Sequence, residues 1–323
     1  MTLSICCPTY NHEKFIAQAL DSFLLQETNF EFDIVIGDDC STDGTLSICR
    51  AYQQKYPGKV KLLPSETNMG MIPNFVRTLK SCTGKYVAMC EGDDYWTNPL
   101  KLQTQVDFLE ANAAYAICFH RVQNLANGQL VESTINTSAT EETYTINNLA
   151  SGNFIHTPSV VFRNHLFNEF PQWFFQSALG DYVLHMINAK YGLIKYFPQQ
   201  MAVYRYHDGG VWSAIERGKK LEKGIWVINA LLTYDFEEQV KEILLTHRRK
   251  LTETYLKLLM KAPDWKEFIS KLSFYSQEDD YIAQKWLTEY YPAYVNTLKS
   301  SKTYKAAQYF QKRISTYKKR LGM

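Results

Sequence analysis

Short apolar segments alternate with amphipathic ones over the first 120 residues, and this alternation constrains the fold more than any other feature of the sequence. The apolar segments are rich in Val, Ile, Leu, Cys and Tyr, as buried strands are. They comprise residues 3–7, 32–37, 60–63 and 86–90. The segments between them space apolar residues by three and four, as helices on a sheet do. They comprise residues 14–26, 43–55 and 72–81. The alternation predicts an α/β fold with a mostly parallel, doubly wound sheet.

The pattern changes along the rest of the chain. We predict helices over 99–111 and 181–189, strands over 115–122 and 160–163, one or two strands over 193–206, and a hairpin or surface excursion over 124–150. After about residue 213, Gly and Pro become scarce, and Leu, Lys, Glu, Gln and Tyr recur with helical spacing. We therefore predict an α/β domain over residues 1–213 and an all-α C-terminal region over residues 214–323.

Composition and charge separate the body of the chain from its end. With 46% hydrophobic and 21% charged residues the chain can bury a full core, which excludes a disordered or fibrous protein. The net charge is +2, but eight of the 35 Lys and Arg lie in residues 299–323, where there is no acid. Residues 1–298 thus hold 27 basic against 33 acidic residues, a net charge of −6. This acidic body argues against nucleic acid as a partner.

Residues 299–323 form a basic amphipathic segment. Its apolar residues recur at spacings of three and four, at Tyr304, Ala307, Phe310, Ile314, Tyr317 and Leu321. Such a helix can lie on an anionic membrane surface, or it can pack its apolar stripe on the preceding helices, and the sequence leaves both open. The aromatic-rich helices after residue 213 could likewise bury a partner chain, so an oligomer is compatible with the sequence.

Cysteine usage and the N-terminus indicate the compartment. All seven cysteines lie in the first 118 residues, without paired CxxC spacing, which favours reduced, buried thiols over a disulfide framework or a zinc site. No basic segment followed by a long apolar run opens the chain, and no apolar run approaches the ~20 residues of a membrane span. We therefore expect a cytoplasmic protein, and a peripheral position on the inner face of the plasma membrane stays open.

Two predicted strands are followed by residues that could bind a ligand. Pro8, Thr9 and Tyr10 follow the first strand and offer backbone donors and a stacking face to a flat heterocycle, although a plain turn into a helix accounts for them as well. Asp38 and Asp39 follow the second strand. They are compatible with helix capping, or Asp39 could accept a hydrogen bond from the N–H of a base.

The strongest chemical signal is the sequence Cys90-Glu91-Gly92-Asp93-Asp94-Tyr95-Trp96, directly after the fourth strand. Three carboxylates within four residues repel one another unless a cation binds among them. A hard divalent cation, Mn or Mg, shared with a diphosphate is the natural occupant, and a solvated acidic turn is the alternative. His207 follows the strand predicted at 193–206 and could complete the shell of such a metal or bind the phosphate, or it could be an ordinary loop residue.

Together these segments resemble the family 2 inverting glycosyltransferases of the GT-A nucleotide-diphospho-sugar transferase fold. The matching segments, in order, are Pro8-Thr9-Tyr10-Asn11, Asp38-Asp39-Cys40-Ser41, Asn68-Met69-Gly70, Glu91-Gly92-Asp93-Asp94, Leu179-Gly180-Asp181-Tyr182 and Tyr204-Arg205-Tyr206-His207-Asp208-Gly209-Gly210. The resemblance covers roughly residues 1–215 and implies a GT-A catalytic domain over 1–213. This chain departs from the family pattern at Glu91, where Asp is usual.

The resemblance implies a role for each matching position. Pro8, Thr9 and Tyr10 would line the nucleotide pocket, Asp39 would read the uracil of a UDP-sugar, and Asn68 and Gly70 would let the backbone approach the nucleotide. Asp93 would bind the metal with His207, and Glu91 would reach a ribose hydroxyl. Asp94, Trp96 and His156 would face the acceptor or the sugar. Asp181 would be the catalytic base, although capping of the helix that follows is an alternative for it.

These observations predict an inverting, metal-dependent hexosyltransferase in polysaccharide biosynthesis. It would move a hexose from a UDP-sugar to a hydroxyl of a glycan acceptor, which we expect to be lipid-linked. The alternatives are a sugar nucleotidyltransferase and a non-catalytic scaffold of the same fold. A nucleotidyltransferase needs a Gly-rich, basic loop after the first strand, which the chain lacks, and the joint presence of Asp39, Asp93, Asp181 and His207 argues against a scaffold.

Overall fold

The structure is a computed structural model that describes residues 1–135, 138–207, 209–210, 215–261, 265–286 and 288. The chain divides into two compact units, Met1–Arg248 and Arg249–Met323. The domain boundary predicted near residue 213 lies among residues outside the described ranges, and that prediction stays untested. The basic segment 299–323 also lies outside them. Within the described ranges, no helix has both the length and the apolar character needed to cross a membrane.

Within the described residues, ten strands form the central sheet. They are β1 (Leu3–Thr9), β2 (Phe32–Asp38), β3 (Val60–Leu63), β4 (Tyr86–Met89), β5 (Tyr95–Trp96), β6 (Tyr115–Ala126), β7 (Gln129–Glu132), β8 (Glu142–Tyr144), β9 (Val161–Arg163) and β10 (Leu193–Tyr206). The α/β prediction is confirmed, and the segment predicted as a hairpin or excursion at 124–150 contains the end of β6, both β7 and β8, and a short helix.

Helices connect the strands and continue to the end of the described chain. They are α1 (Ile16–Leu24), α2 (Thr45–Lys55), α3 (Met71–Lys80), α4 (Lys101–Ala111), α5 (Ile146–Ala150), α6 (Gly180–Ala189), α7 (Arg217–Leu232), α8 (Glu238–Lys261), α9 (Trp265–Glu278) and α10 (Asp280–Lys285). The second unit is helical, as predicted for the C-terminal region. In it the guanidinium of Arg249 binds the carboxylate of Asp279 at 2.8 and 2.9 Å.

The strand order decides where the site lies. It runs β3-β2-β1-β4-β9-β6-β10-β5, with β7 beside β6 and β8 beside β10. The β3-β2-β1-β4 half is parallel as predicted, whereas the other half is mixed, because β9 runs antiparallel to both β4 and β6. Since β10 is parallel to β6, it points the same way as β4. The carboxyl ends of β1, β2, β4 and β10 therefore lie at one edge of the sheet, where ligands bind in open α/β folds.

Burial on both faces of the sheet explains the apolar strands. In β1, Leu3, Ile5 and Cys7 are fully buried in a core to which Ile16, Leu20 and Phe23 of α1 also belong. Apolar area buried in this way stabilises the fold by about 25 cal/mol per Å². All seven cysteines are free thiols, and all except Cys40 are buried. The rigid sheet thus holds its strand ends, and the loops after them, in place.

Candidate active site

The loops after β1, β2 and β4 are joined through their main chains. The N–H of Asp39 donates to the carbonyl of Thr9 at 3.1 Å, and the N–H of Gly92 donates to the carbonyl of Pro8 at 3.3 Å. A Cβ at Gly92 would lie 2.5 Å from the Oγ1 of Thr9, so only glycine fits there without displacing its neighbours. The acidic segment after β4 is therefore packed directly against the end of β1.

Asp39 fixes the loop that precedes α3. Its Oδ1 accepts the N–H of Met69 at 2.8 Å, and its Oδ2 accepts the N–H of Gly70 at 3.0 Å. Gly70 has a φ of +91°, which favours glycine, and its N–H also lies 3.1 Å from the Oδ1 of Asn68. Asp39 is buried, whereas Tyr10 is 42% exposed and Met69 is 36% exposed. A buried carboxylate with exposed, polarisable side chains on the two loops that it contacts is a suitable setting for a flat base.

The capping alternative applies to the neighbours of Asp39. The Oδ2 of Asp38 accepts the N–H of Ser41 at 3.1 Å, so this side chain stabilises the turn after β2. The Oδ1 of Asp43 accepts the N–H of Thr45 at 2.9 Å, at the start of α2. Asp38 therefore stabilises local structure, whereas Asp43 also accepts the N–H of Glu13 at 3.1 Å and so ties the start of α2 to the loop after β1. Asp39 bonds instead to the loop that precedes α3.

Three carboxylates meet after β4. One oxygen from each of Glu91, Asp93 and Asp94 lies within 4.8 Å of the others. The Oδ2 of Asp93 lies 3.0 Å from the Nε2 of His207 and 3.7 Å from the Nε2 of His12. The buried Oδ1 of Asp93 and the buried Oδ2 of Asp94 have no hydrogen-bond partner within the described residues. Unpartnered carboxylate oxygens beside an imidazole suit a hard divalent cation, so these residues fit a metal.

The pKa values differ within this cluster. Burial, together with the charges of Asp93 and Asp181, raises the pKa of Glu91 to about 8. Burial and the charge of Asp93 raise the pKa of Asp94 well above its usual value. Burial also acts to raise the pKa of Asp93, but the hydrogen bond with His207 and the charge of His12 outweigh it and lower that pKa overall. Asp93 is thus the group in the cluster that stays charged most readily.

Arg205 joins the acidic segment to β10. The sequence places it in a matching segment but gives no reason to assign it a role. Its backbone N–H donates to the Oδ1 of Asp94 at 2.8 Å, and its guanidinium donates to the carbonyl of Asp93 and to Gln18. The guanidinium also lies 4.5 Å from the ring centroid of Tyr95. His12 was missed as well. Its place after Pro8-Thr9-Tyr10-Asn11 was a signal, but its approach to Asp93 depends on the packing of β1 against β4.

Asp181 lies in the first turn of α6, after Leu179 at the N-cap, so it is not the capping residue itself. Its Oδ2 accepts the amide of Asn153 at 3.2 Å. Burial raises the pKa of Asp181. The charge of Asp181 in turn contributes to the raised pKa of Glu91. The charge of Asp181 therefore acts on the acidic cluster, although 87 or more residues of chain separate them.

Trp96 occupies different surroundings from those that the sequence suggested, whereas the acceptor-side prediction for His156 stays untested. Trp96 is 4% exposed, its indole N–H donates to the carbonyl of Pro158 at 2.8 Å, and the Nζ of Lys101 lies 4.2 Å from its ring centroid. Trp96 is thus a core residue with its polar group satisfied, which is a correction to the expectation that it faces a ligand. His156 lies beside the ring of Tyr204, at 5.4 Å between centroids, and bonds to the Oγ of Ser133 at 3.1 Å.

Comparison with known proteins agrees with this geometry. The model of glycosyl transferase family 2 matches residues 4–170, which is half of the chain and includes the segments after β1, β2 and β4. The chain belongs to glycosyl transferase family 2. The matched residues are a glycosyltransferase domain, and they contain Asp39, Glu91 and Asp93. Asp181 and His207 lie beyond the matched range.

Similar sequences occur in several bacteria. An uncharacterised protein of Mycobacterium tuberculosis is 37% identical over 211 residues, which cover 65% of this chain and 60% of that protein. The poly(ribitol-phosphate) beta-N-acetylglucosaminyltransferase TarS of Staphylococcus aureus is 43% identical over 98 residues, which cover 29% of this chain and 17% of TarS. The aligned part thus spans less than two thirds of the length of these relatives.

Solved structures share the fold. The chain resembles residues 1–349 of S. aureus TarS in complex with UDP-GlcNAc, with a TM-score of 0.65 and 23% identity over 87% of this chain and 83% of that one. It also resembles the mannosyltransferase PcManGT of Pyrobaculum calidifontis in complex with GDP-Man and Mn²⁺, with a TM-score of 0.57 and 18% identity over 97% of this chain and 84% of that one. At these identities the likeness establishes the GT-A fold.

Proposed function

We propose that this protein is an inverting, metal-dependent glycosyltransferase that moves a hexose from a UDP-sugar to a hydroxyl of a glycan acceptor. The observation that carries the proposal is the approach of Glu91, Asp93 and Asp94 within 4.8 Å, with the imidazole of His207 at 3.0 Å from Asp93. A carboxylate and imidazole cluster at the carboxyl ends of parallel strands suits a metal-bound diphosphate. Two proteins of the same fold support it, because one binds UDP-GlcNAc and the other GDP-Man with Mn²⁺.

The donor nucleotide would bind between β1 and β2. Asp39 is the residue that we propose to bind the uracil by accepting a hydrogen bond from its N–H. The buried carboxylate retains lone pairs beyond the two backbone N–H bonds that it accepts. Thr9 and Tyr10 would line the pocket, with the exposed ring of Tyr10 against the base. The left-handed conformation of Gly70 would let the chain approach the nucleotide closely. Asn68 supports that conformation through its bond to Gly70.

Asp93 and His207 are the proposed metal ligands, and Glu91 would face the ribose. A bound Mn or Mg ion would supply positive charge to the departing diphosphate. Arg205 fixes the acidic segment before a ligand binds. Its guanidinium donates to the carbonyl of Asp93 and its backbone N–H donates to the carboxylate of Asp94, so the ligands need not rearrange. His12 adds a second imidazole 3.7 Å from Asp93.

Asp181 is the proposed base. Inversion requires a carboxylate that takes the proton of the acceptor hydroxyl on the side opposite the leaving diphosphate. Burial raises the pKa of Asp181, which increases its affinity for that proton, and the bond from Asn153 fixes its orientation.

Release of UDP from a panel of UDP-hexoses, with and without Mn²⁺ or Mg²⁺, tests the proposal. We expect metal-dependent release that falls at least ~100-fold in Asp93→Asn and in Asp181→Asn. Asp107→Asn is the matched control, because Asp107 is an exposed carboxylate on α4. The product anomer, read by NMR, checks inversion. Wild-type turnover in Asp181→Asn would refute the base assignment, and the absence of any metal-dependent stabilisation by UDP would favour a non-catalytic scaffold.

We also propose a lipid-linked acceptor at the cytoplasmic face of the membrane. The support is the sequence of residues 299–323, whose basic amphipathic pattern suits an anionic surface. Sedimentation with anionic and with neutral vesicles, for the full chain and for a chain ending at residue 298, tests this. Binding that is selective for anionic vesicles and is lost on truncation supports the proposal, and equal, negligible binding in all four cases overturns it.

A further inference from the structure

The two faces of β10 differ at its carboxyl end. Successive side chains of a strand point to opposite faces. Arg205 and His207 point towards α1, where the guanidinium lies 5.0 Å and the imidazole 4.7 Å from the ring centroid of Phe15. Tyr204 and Tyr206 point the other way and contact each other, with 5.2 Å between ring centroids. The metal residues therefore use one face of β10, and the proposed function has not used the other.

Tyr204, Tyr206 and His156 form a continuous aromatic surface, which we name the β10 platform. The ring of His156 lies 5.4 Å from that of Tyr204, which in turn meets Tyr206 edge to face. Tyr204 is half-buried, whereas Tyr206 is 43% exposed. The bond between His156 and Ser133 fixes the imidazole, and burial lowers the pKa of His156 to about 4, so the ring is neutral near pH 7. The platform is therefore an uncharged aromatic surface near pH 7.

The platform lies beside the acidic segment, because Tyr204 and Tyr206 flank Arg205, whose backbone N–H donates to the Oδ1 of Asp94 at 2.8 Å. Burial raises the pKa of Tyr204, and the charges of Asp94, Glu91 and Asp93 raise it further. In the sheet, β4 with its acidic segment lies between β2, which carries Asp39, and β10. A UDP-sugar whose base binds at Asp39 and whose diphosphate binds at the acidic cluster would not cover the platform. The platform is therefore available to the acceptor.

We propose that the β10 platform binds the terminal pyranose ring of an uncharged glycan acceptor. An apolar face of C–H groups on a pyranose packs on aromatic rings, and the ring hydroxyls at its edge remain available to polar groups such as Asp181. The carboxylate of Asp93, which stays charged most readily in the cluster, disfavours an anionic unit, such as a uronate or a phosphate, at this position. The inference rests on the proposed function and adds the class of acceptor to it.

Saturation-transfer NMR with methyl glycopyranosides tests the proposal in the full chain with UDP and Mn²⁺. The probes are methyl β-glucopyranoside, methyl β-galactopyranoside and, as the anionic comparison, methyl β-glucuronide. We expect the neutral glycosides to receive saturation on their ring C–H protons, and the glucuronide to receive less. Tyr206→Phe keeps the ring and should bind normally. Tyr206→Ala should weaken binding about five- to tenfold, the size expected for the loss of one stacking ring.

Tyr191→Ala is the matched control, because Tyr191 is similarly exposed (48%) and precedes β10 at its opposite end. It should bind the glycosides like the wild type. The proposal is overturned if neither neutral glycoside binds the wild type, or if Tyr206→Ala binds them unchanged. Thermal stabilisation by UDP and Mn²⁺ is recorded for every variant. A wild type that UDP does not stabilise contradicts the proposed function instead, so the two failures are distinguishable.

Discussion

The Oδ2 of Asp93 lies 3.0 Å from the Nε2 of His207, although 114 residues separate them. Asp93 follows β4, and His207 follows β10. The two meet because β9, antiparallel to both β4 and β6, lets β6 and the parallel β10 run in the same direction as β4. The carboxyl end of β10, in the mixed half of the sheet, thus lies at the same edge as the carboxyl ends of the parallel half. This shared edge brings the residues of the candidate metal site together.

Loss of the imidazole at position 207 should weaken metal binding. We expect His207→Asn to raise the Kd for Mn²⁺ at least ~10-fold, since one of two proposed ligands is removed. Isothermal titration calorimetry in the presence of UDP measures this. His165→Asn is the control, because His165 is exposed and asparagine tolerates its φ of 57°. An unchanged Kd in His207→Asn would exclude His207 as a ligand.

Asp39→Asn should loosen the loop before α3. The carboxylate accepts one N–H on each oxygen, from Met69 and from Gly70, whereas an asparagine amide offers one acceptor and turns its NH₂ towards the second N–H. We expect a loss of about 1–3 kcal/mol in the free energy of unfolding and a smaller thermal shift on adding UDP. Urea denaturation and thermal scans measure both. If Asp39→Asn has the same free energy of unfolding and the same thermal shift with UDP as Asp107→Asn, Asp39 does not organise the loop before α3.

Gly92→Ala should disrupt the acidic segment. The added Cβ would lie 2.5 Å from the Oγ1 of Thr9, 2.9 Å from the Cδ1 of Ile16 and 3.0 Å from the Nδ1 of His12. We expect a destabilisation of about 1–3 kcal/mol and weaker Mn²⁺ binding, because the segment must move away from β1. In the double variant Gly92→Ala with Thr9→Ala, part of the lost stability should return. A single variant with wild-type stability and Mn²⁺ affinity would contradict the close packing.

Lys101 should make stability depend on pH. Its side chain is fully buried, and burial lowers its pKa to about 7, while its Nζ donates to Gln105. The unfolded chain keeps the proton up to a pKa of about 10.4. Between these values the unfolded state binds more protons than the native state, so the free energy of unfolding rises with pH, by roughly 1.4 kcal/mol per pH unit.

Lys101→Met removes this titration. Relative to the variant, the wild type should therefore gain stability as the pH rises from 7 to 10, and the difference should be constant below pH 7. Urea denaturation at several pH values measures it. Lys61→Met is the control, because Lys61 lies exposed on β3. Parallel pH profiles for the wild type and Lys101→Met would show that Lys101 titrates normally in the folded protein.

Local sequence was sufficient where a residue's role depends on its neighbours along the chain. The apolar runs predicted the strands because burial on both faces of a sheet demands them, and the β3 and β10 bounds were predicted residue for residue. The cluster of Glu91, Asp93 and Asp94 was evident because its members adjoin one another. The prediction for Trp96 was wrong because a tryptophan after an acidic segment can either contact a ligand or lie in the core. Only its hydrogen bond to the carbonyl of Pro158 distinguishes these two positions.

The sequence by itself determined the α/β class, the parallel strands and the acidic segment that follows β4, because each rests on short-range composition and periodicity. The tertiary structure decided which distant side chains join that segment. Strand order brings His207 to Asp93, and the pleat of β10 separates Arg205 and His207 from Tyr204 and Tyr206. Such pairings depend on the direction in which each strand runs and on the face to which each side chain points, and both are settled only when the whole sheet is packed.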